Sequence, residues 1–209
     1  MNYTELTTNI QDVTENTFTA DQLAMFVQQA EQLIYNAVQI PALRKNSTGT
    51  FTTSNQYLAI PSDFLYPYSI AVIDDNGDYH YLINKDTNFI REAYPSAAST
   101  GLPKHYAIFD DTAFIVGPTP DDGYTVEVHY GYYPESIVTA GTTWLGDEFD
   151  STLLNGALVE AIRFMKGEQD LVKMYEDMYA RSLKLLKNLG DGKLRQDTYR
   201  SGQVKVPVN

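Results

Sequence analysis

A chain of 209 residues with 27 acidic and 15 basic side chains has a formal net charge of −12. A surface of that sign repels the phosphates that a nucleic-acid-gripping protein must neutralise. Hydrophobic residues make up 43% of the sequence, enough for a sizeable core, no apolar run reaches membrane-spanning length, and the lack of cysteine excludes disulfide and thiolate chemistry.

The first thirty residues carry neither the basic start nor the apolar segment of a secretion signal, and with no cysteine this suits a reducing compartment. Leu6, Ile10 and Val13 predict a short amphipathic helix. Thr19 stands three residues before Gln22, the spacing of a capping box, with Phe18 placed to staple onto Leu23. Leu23, Phe26, Val27, Ala30, Ile34, Ala37 and Val38 then recur at helical spacing until Pro41, predicting a helix over 19–38.

From Gly49 to Tyr133 the period changes from helical to alternating. Residues 51–53 and 56–60 read as strands around a Ser54-Asn55 turn, 69–74 and 79–83 as a hairpin turned by Asn76-Gly77, and 105–109 and 112–116 as a third hairpin. A short helix fits 86–93. Gly117 to Pro120 breaks the pattern, and 124–133 reads as the last and longest strand. The expectation is a small antiparallel sheet or barrel. Trp144, the only tryptophan, is expected to be buried where the chain leaves it.

The strongest periodicity lies in 150–189 and reads as two helices separated by Gly167. Leu154, Leu158, Ala161, Ile162 and Met165 form one apolar face. Leu171, Met174, Tyr175, Met178, Leu185, Leu186 and Leu189 form the other. Gly190 and Gly192 are expected to stop the second helix. An amphipathic helix pair must bury its stripe against other helices, and the N-terminal part supplies them. The fold class is therefore α+β: a four-helix bundle built from both chain ends (1–46 and 146–189), an inserted small antiparallel β domain (47–145), and an extended C-terminal arm (190–209). In that arm Val204, Val206 and Val208 alternate with Lys205 and Pro207. Four basic residues stand against two acidic ones there, a net of +2 that leaves −14 for the rest.

No catalytic residue, cofactor site or metal site can be nominated. His80, His105 and His129 lie in separate strands without a second ligand at helical spacing. Asp74, Asn76 and Asp78 imitate the start of a calcium loop, but Gly77 is misplaced and Lys85 stands where the bidentate glutamate should be. What stands out is 16 tyrosines, many in the middle third. Strands favour tyrosine, and so do protein interfaces; Tyr66, Tyr68, Tyr130, Tyr132 and Tyr133 are the interface candidates, with a carbohydrate-stacking platform as the competing use.

Several stretches taken together resemble the head-to-tail adaptor, or connector, proteins of short-tailed bacteriophages. They are Pro41-Ala42-Leu43-Arg44-Lys45-Asn46, Ile60-Pro61-Ser62-Asp63-Phe64-Leu65, Asn88-Phe89-Ile90-Arg91-Glu92-Ala93-Tyr94-Pro95, Gly117-Pro118-Thr119-Pro120, Gly141-Thr142-Thr143-Trp144-Leu145-Gly146-Asp147, Phe164-Met165-Lys166-Gly167-Glu168 and Tyr199-Arg200-Ser201-Gly202-Gln203-Val204. The resemblance implies a structural subunit, with no enzymatic role, in a ring of identical subunits, typically dodecameric. The ring sits beneath the portal protein at the head–tail junction of the virion and contacts a tail nozzle or tail tubular protein. DNA passes through it without specific binding, no membrane is involved, and assembly occurs in the host cytoplasm. It also gives the arm a task, docking on the portal through Arg195, Tyr199, Arg200, Val204, Val206 and Val208. The alternative expectation is a sugar- or receptor-binding virion module built on the tyrosine-rich insert.

Overall fold

A computed structural model describes the backbone of residues 1–201 and the side chains of residues 1–192. The fold is mixed α+β, with seven α-helices and two small four-stranded sheets among the described residues. By its internal contacts the chain divides into two compact units, Met1–Leu43 together with residues 134 onward, and Arg44–Tyr133.

In the first unit, α1 (Tyr3–Thr14) is opened by a capping box between Asn2 and Glu5. The expected capping box of α2 (Ala20–Ala37) is present, with Thr19 and Gln22 exchanging side-chain and backbone hydrogen bonds. Phe18 sets its ring edge-on to Phe26 at 5.2 Å. Further along the chain, α6 (Asp150–Phe164) packs against α1, α2 and α7 (Gln169–Ser201). It can do so because small residues line it. A Cβ on Gly156 would come within 3.1 Å of Ala30 and 3.2 Å of the Tyr179 ring, so α2 and α7 both close onto one glycine. Leu6, Ile10, Phe26, Ile34, Leu153, Ala157, Ala161 and Leu186 are buried in the shared core.

Two expectations for these helices are corrected. Val13 is exposed, and so are Leu171, Met174, Met178, Leu185 and Leu189 of α7; within that helix the core takes Leu186 with the half-buried Tyr175, Tyr179 and Leu183. The apolar surface of α7 is wider than the face its own subunit covers. Nor does α7 stop at Gly190. Its backbone is helical through Ser201, because Gly190 serves a close approach: a Cβ there would lie 2.7 Å from Ile40 Cγ2 and 2.8 Å from the Gln39 carbonyl. An extended arm therefore does not begin at 190, and residues 202–209 lie outside the described residues.

The stretch expected to be a loop holds two further helices, α4 (Ile137–Ala140), capped by Ser136, and α5 (Trp144–Glu148), capped by Thr143. Elements of four or five residues are too short to show a period. Trp144 is half-buried and packs against Tyr35 and Phe149, each with ring centroids at 6.4 Å. Glu31, on α2, is buried and accepts a hydrogen bond from the Ile137 N–H at 2.9 Å. Burial holds its carboxyl above the usual range, opposed by that bond and by the Ser136 side chain.

The second unit starts with β1 (Arg44–Thr50), a strand absent from the sequence reading because Arg-Lys-Asn-Ser-Thr-Gly-Thr offers no apolar alternation. It is an edge strand, exposed along most of its length. The expected strand at 51–53 is not formed. Instead β2 (Tyr57–Ala59) pairs with β7 (Ala113–Gly117), while β6 (His105–Ile108) joins β7 in the expected hairpin. The second expected hairpin, β3 (Tyr66–Ile73) with β4 (Tyr79–Tyr81), and the long strand β8 (Thr125–Gly131) are present. The sheet is not purely antiparallel, since β5 (Ile83–Asn84) runs parallel to β6 across a connection that contains α3 (Thr87–Ala93). The strand orders are β1-β8-β3-β4 and β2-β7-β6-β5, and Ile70, Val72, Val126, Val128 and Phe114 join one core between the sheets. α3 covers the far side of the second sheet, placing Ile90 on Ala107 and Ile115.

Phe26→Ala is expected to lower unfolding free energy by about 3–5 kcal/mol, and Leu185→Ala by less than about 0.5 kcal/mol in spite of its heptad position, read by denaturant unfolding. The raised carboxyl of Glu31 gives stability at low pH that is lost as pH climbs past the ordinary glutamate range. The melting temperature of Glu31→Gln is therefore expected to gain on wild type as pH rises, and a constant difference across pH would refute that role for Glu31.

Candidate interaction surface

The inner face of the first sheet is apolar, and alternation sends the other residues outward: Arg44 from β1, His129 and Gly131 from β8, Tyr66 from β3, and Tyr79 and Tyr81 from β4. A bulge between Pro67 and Ser69 leaves Tyr68 as an extra residue against β8. Pro67 fits there because it has no backbone N–H to give to a ladder.

At one corner four side chains form a continuous layer. The Arg44 guanidinium lies 4.4 Å from the centre of the Tyr68 ring, which in turn lies 5.2 Å from the His129 ring. Tyr66 and Tyr68 meet edge-to-face at 5.4 Å, with their hydroxyls 3.4 Å apart. Gly131 makes room for this. A Cβ there would fall 2.5 Å from Tyr66 Cζ, so the ring rests over the bare backbone of β8. The hydrogen bond with Tyr68 and then burial push the Tyr66 phenol up to about 12. At the opposite edge, Tyr79 and Tyr81 are both exposed, with ring centroids 6.5 Å apart.

The predicted interface tyrosines separate. Tyr66 and Tyr68 are 43% and 38% exposed and adjoin, and Tyr133 is exposed as well. Tyr132 is half-buried, with the Lys45 ammonium 5.3 Å from its ring centre. Tyr130 is 1% exposed and belongs to the core, where its hydroxyl donates to Asp63 at 2.7 Å. Lys45 donates to the other oxygen of Asp63 at 2.6 Å, and that bond chiefly holds the carboxyl below the usual carboxylate range. Burial and its own hydrogen bond to Asp63 push the Tyr130 phenol up to about 12. Arg44, His129 and Gly131 were not nominated from sequence. The alternation in 124–133 was the usable signal, since it puts His129 and Gly131 opposite to Val126, Val128 and Tyr130. The predicted arm residues Arg195, Tyr199 and Arg200 fall on the helical backbone of α7 with side chains outside the described residues, and Val204, Val206 and Val208 lie wholly outside them.

Chemistry finds little purchase elsewhere. Asp74, the first residue of the imitation calcium loop, accepts from the Asn76 and Asp78 N–H groups through Oδ1 and contacts His80 Nε2 at 2.8 Å through Oδ2, so its oxygens are spent on the turn. No group of three or more His, Asp or Glu side chains is placed to hold a metal ion among the described residues. No described helix is long and apolar enough to cross a membrane.

The family described as SU10 adaptor protein matches residues 1–207. The chain belongs to that family. Its members are phage head–tail adaptors, so this is a structural virion protein of the head–tail junction, and membership implies association with portal and tail proteins. A structural family weighs against an enzymatic role. No curated protein matched the sequence.

The Gly131 cradle yields a direct check on the aromatic layer. Gly131→Ala is expected to dislodge Tyr66, separate the two hydroxyls and return the Tyr66 phenol toward its ordinary range, read as the loss of one late-titrating tyrosine by ultraviolet absorbance. Tyr66→Phe should remove the same step; a titration unchanged in Gly131→Ala would refute the cradle.

Proposed function

We propose that the protein is one subunit of a ring seated beneath the portal, with the helical unit forming the body of the ring as a four-helix bundle. The β unit offers its aromatic outer face to the tail component, and the C-terminal stretch docks on the portal. The observation that carries this reading is the adaptor-family match over nearly the whole chain. Three physical features support it. An acidic protein repeated around a channel makes a field that repels duplex phosphates, so DNA can pass without sticking. The exposed Tyr66–Tyr68 and Tyr79–Tyr81 pairs supply large, stiff apolar area with polar tips, the composition that protein interfaces favour. The last twenty residues are mildly basic on an otherwise acidic chain, which suits docking on a separate acidic partner.

Truncation after Gly192 tests the docking. It keeps Gly190 seated on Ile40 and removes Arg195, Tyr199, Arg200 and the three valines. The truncated protein is expected to fold with the same melting temperature and to lose portal binding in a pull-down; retained binding would refute the assignment. A second reading, glycan recognition, is favoured by the exposed stacked tyrosines alone. Specific glycan-array binding abolished by Tyr66→Ala or Tyr81→Ala would shift the β unit to that role.

A further inference from the structure

The helical unit is electrically lopsided. Residues 1–43 contain no lysine, arginine or histidine, and the stretch 134–162 contains none either. Every basic residue of this unit lies from Arg163 onward, mostly on α7. On the acidic side, Glu5, Asp12, Glu15 and Asp21 of the α1–α2 region are exposed, and so are the apolar Val13 of α1 and Met25 and Leu33 of α2, the last 50% exposed. The outer face of α2 is otherwise glutamine and asparagine, at Gln28, Gln29, Gln32 and Asn36. Depletion of charge together with stranded apolar residues is the composition of an interface centre.

On α7, residues 169–192 carry four basic residues (Lys173, Arg181, Lys184, Lys187) and four acidic ones (Asp170, Glu176, Asp177, Asp191), with three of the bases gathered between 181 and 187. Leu171, Met178 and Leu185 recur at seven-residue intervals on α7, with Met174 and Leu189 beside them, and all five are exposed. At a rise of about 1.5 Å per residue the stripe runs roughly 27 Å. Its C-terminal half is bordered by exposed Arg181, Lys184 and Lys187. Leu185 is 67% exposed, so this stripe is outside the subunit's own core.

We infer that the α7 stripe of one copy packs against the α1–α2 face of the next, head to tail. The partner is a second copy of this chain because one molecule carries both halves of the match: an acidic face with three stranded apolar residues and a basic-edged face with five. A contact between two different patches repeats indefinitely and closes only as a ring. The inference rests on the ring reading above and assigns the surfaces it uses. Pairing of α7 with α7 would leave the α2 face unused and its apolar residues in water.

The test uses the full-length chain in sedimentation velocity, alone and with the portal ring of the same virus, as wild type, as Leu185→Glu, as Leu33→Glu, and as an equimolar mixture of the two variants. Both changes fall on exposed positions, and circular dichroism is expected to match wild type, as is the melting temperature at concentrations low enough for wild type to be dissociated. Wild type is expected to form species larger than a dimer. Each variant alone is expected to associate at least about tenfold more weakly. The mixture is expected to stop at a heterodimer, because only one intact pair of faces remains in it. Lys184→Glu with Lys187→Glu, which touches no apolar contact, is expected to weaken association as well, and added salt should weaken that of wild type. Undiminished assembly of Leu33→Glu would overturn the pairing in favour of α7 with itself. Complete rings of both variants on the portal would overturn the face assignment and leave the adaptor reading standing. A wild-type chain that assembles under neither condition would overturn both.

Discussion

Burial of α6 is the constraint on which the rest of the helical unit depends. This helix hides Leu153, Ala157, Leu158, Val159, Ala161 and Ile162, more than one stripe of its surface, and so it needs neighbours on several sides. The neighbours come from opposite ends of the sequence, α1 and α2 before the β unit and α7 after it. The unit can therefore form only once some ninety intervening residues have been bridged. Loop-closure entropy grows slowly with length, so an independently folded module between the two halves is tolerated at modest cost.

Glycines set how closely these parts approach, and in each case an aromatic ring or a backbone carbonyl occupies the space that a Cβ would need. Gly156 admits Ala30 and Tyr179, Gly190 admits the Gln39 carbonyl and the Ile40 side chain, and Gly131 and Gly117 lie under the rings of Tyr66 and Tyr94. The last two have a functional consequence. A tyrosine laid over bare backbone is stiff, and a stiff aromatic loses little entropy when a partner covers it. The Tyr66–Tyr68 corner is thus preorganised by β8 and by the Arg44 guanidinium of β1, the two strands that follow one another on the same side of β3.

Charge acts at a larger scale. Acidic residues are spread through the whole chain, while basic residues of the helical unit gather on α7 and the end of α6. Net acidity repels phosphate, and the local concentration of lysine and arginine gives the helical unit a surface segment of the opposite sign. Both belong to a protein whose work is to hold other proteins in register.

Much of this was readable before any coordinates. The capping box at Thr19 and Gln22, the apolar period of α2, the Asn76-Gly77 turn and the alternation of β8 are local signals, written by neighbouring residues, and signals of this kind define the longer helices, most strands and the α+β class. Charge polarity is likewise a property of the sequence alone. Tertiary structure decided what local signals cannot carry. It alone shows that β1 is a strand, since an exposed edge has no apolar alternation, and that Gly190 serves a close approach within a continuing helix. It alone shows the bulge between Pro67 and Ser69 that brings Tyr68 beside Tyr66 on the outer face. Above all, one helix sequence displays core and interface residues with the same 3.5-residue spacing, and only the packing of α7 on α6 reveals which of them its own subunit leaves uncovered.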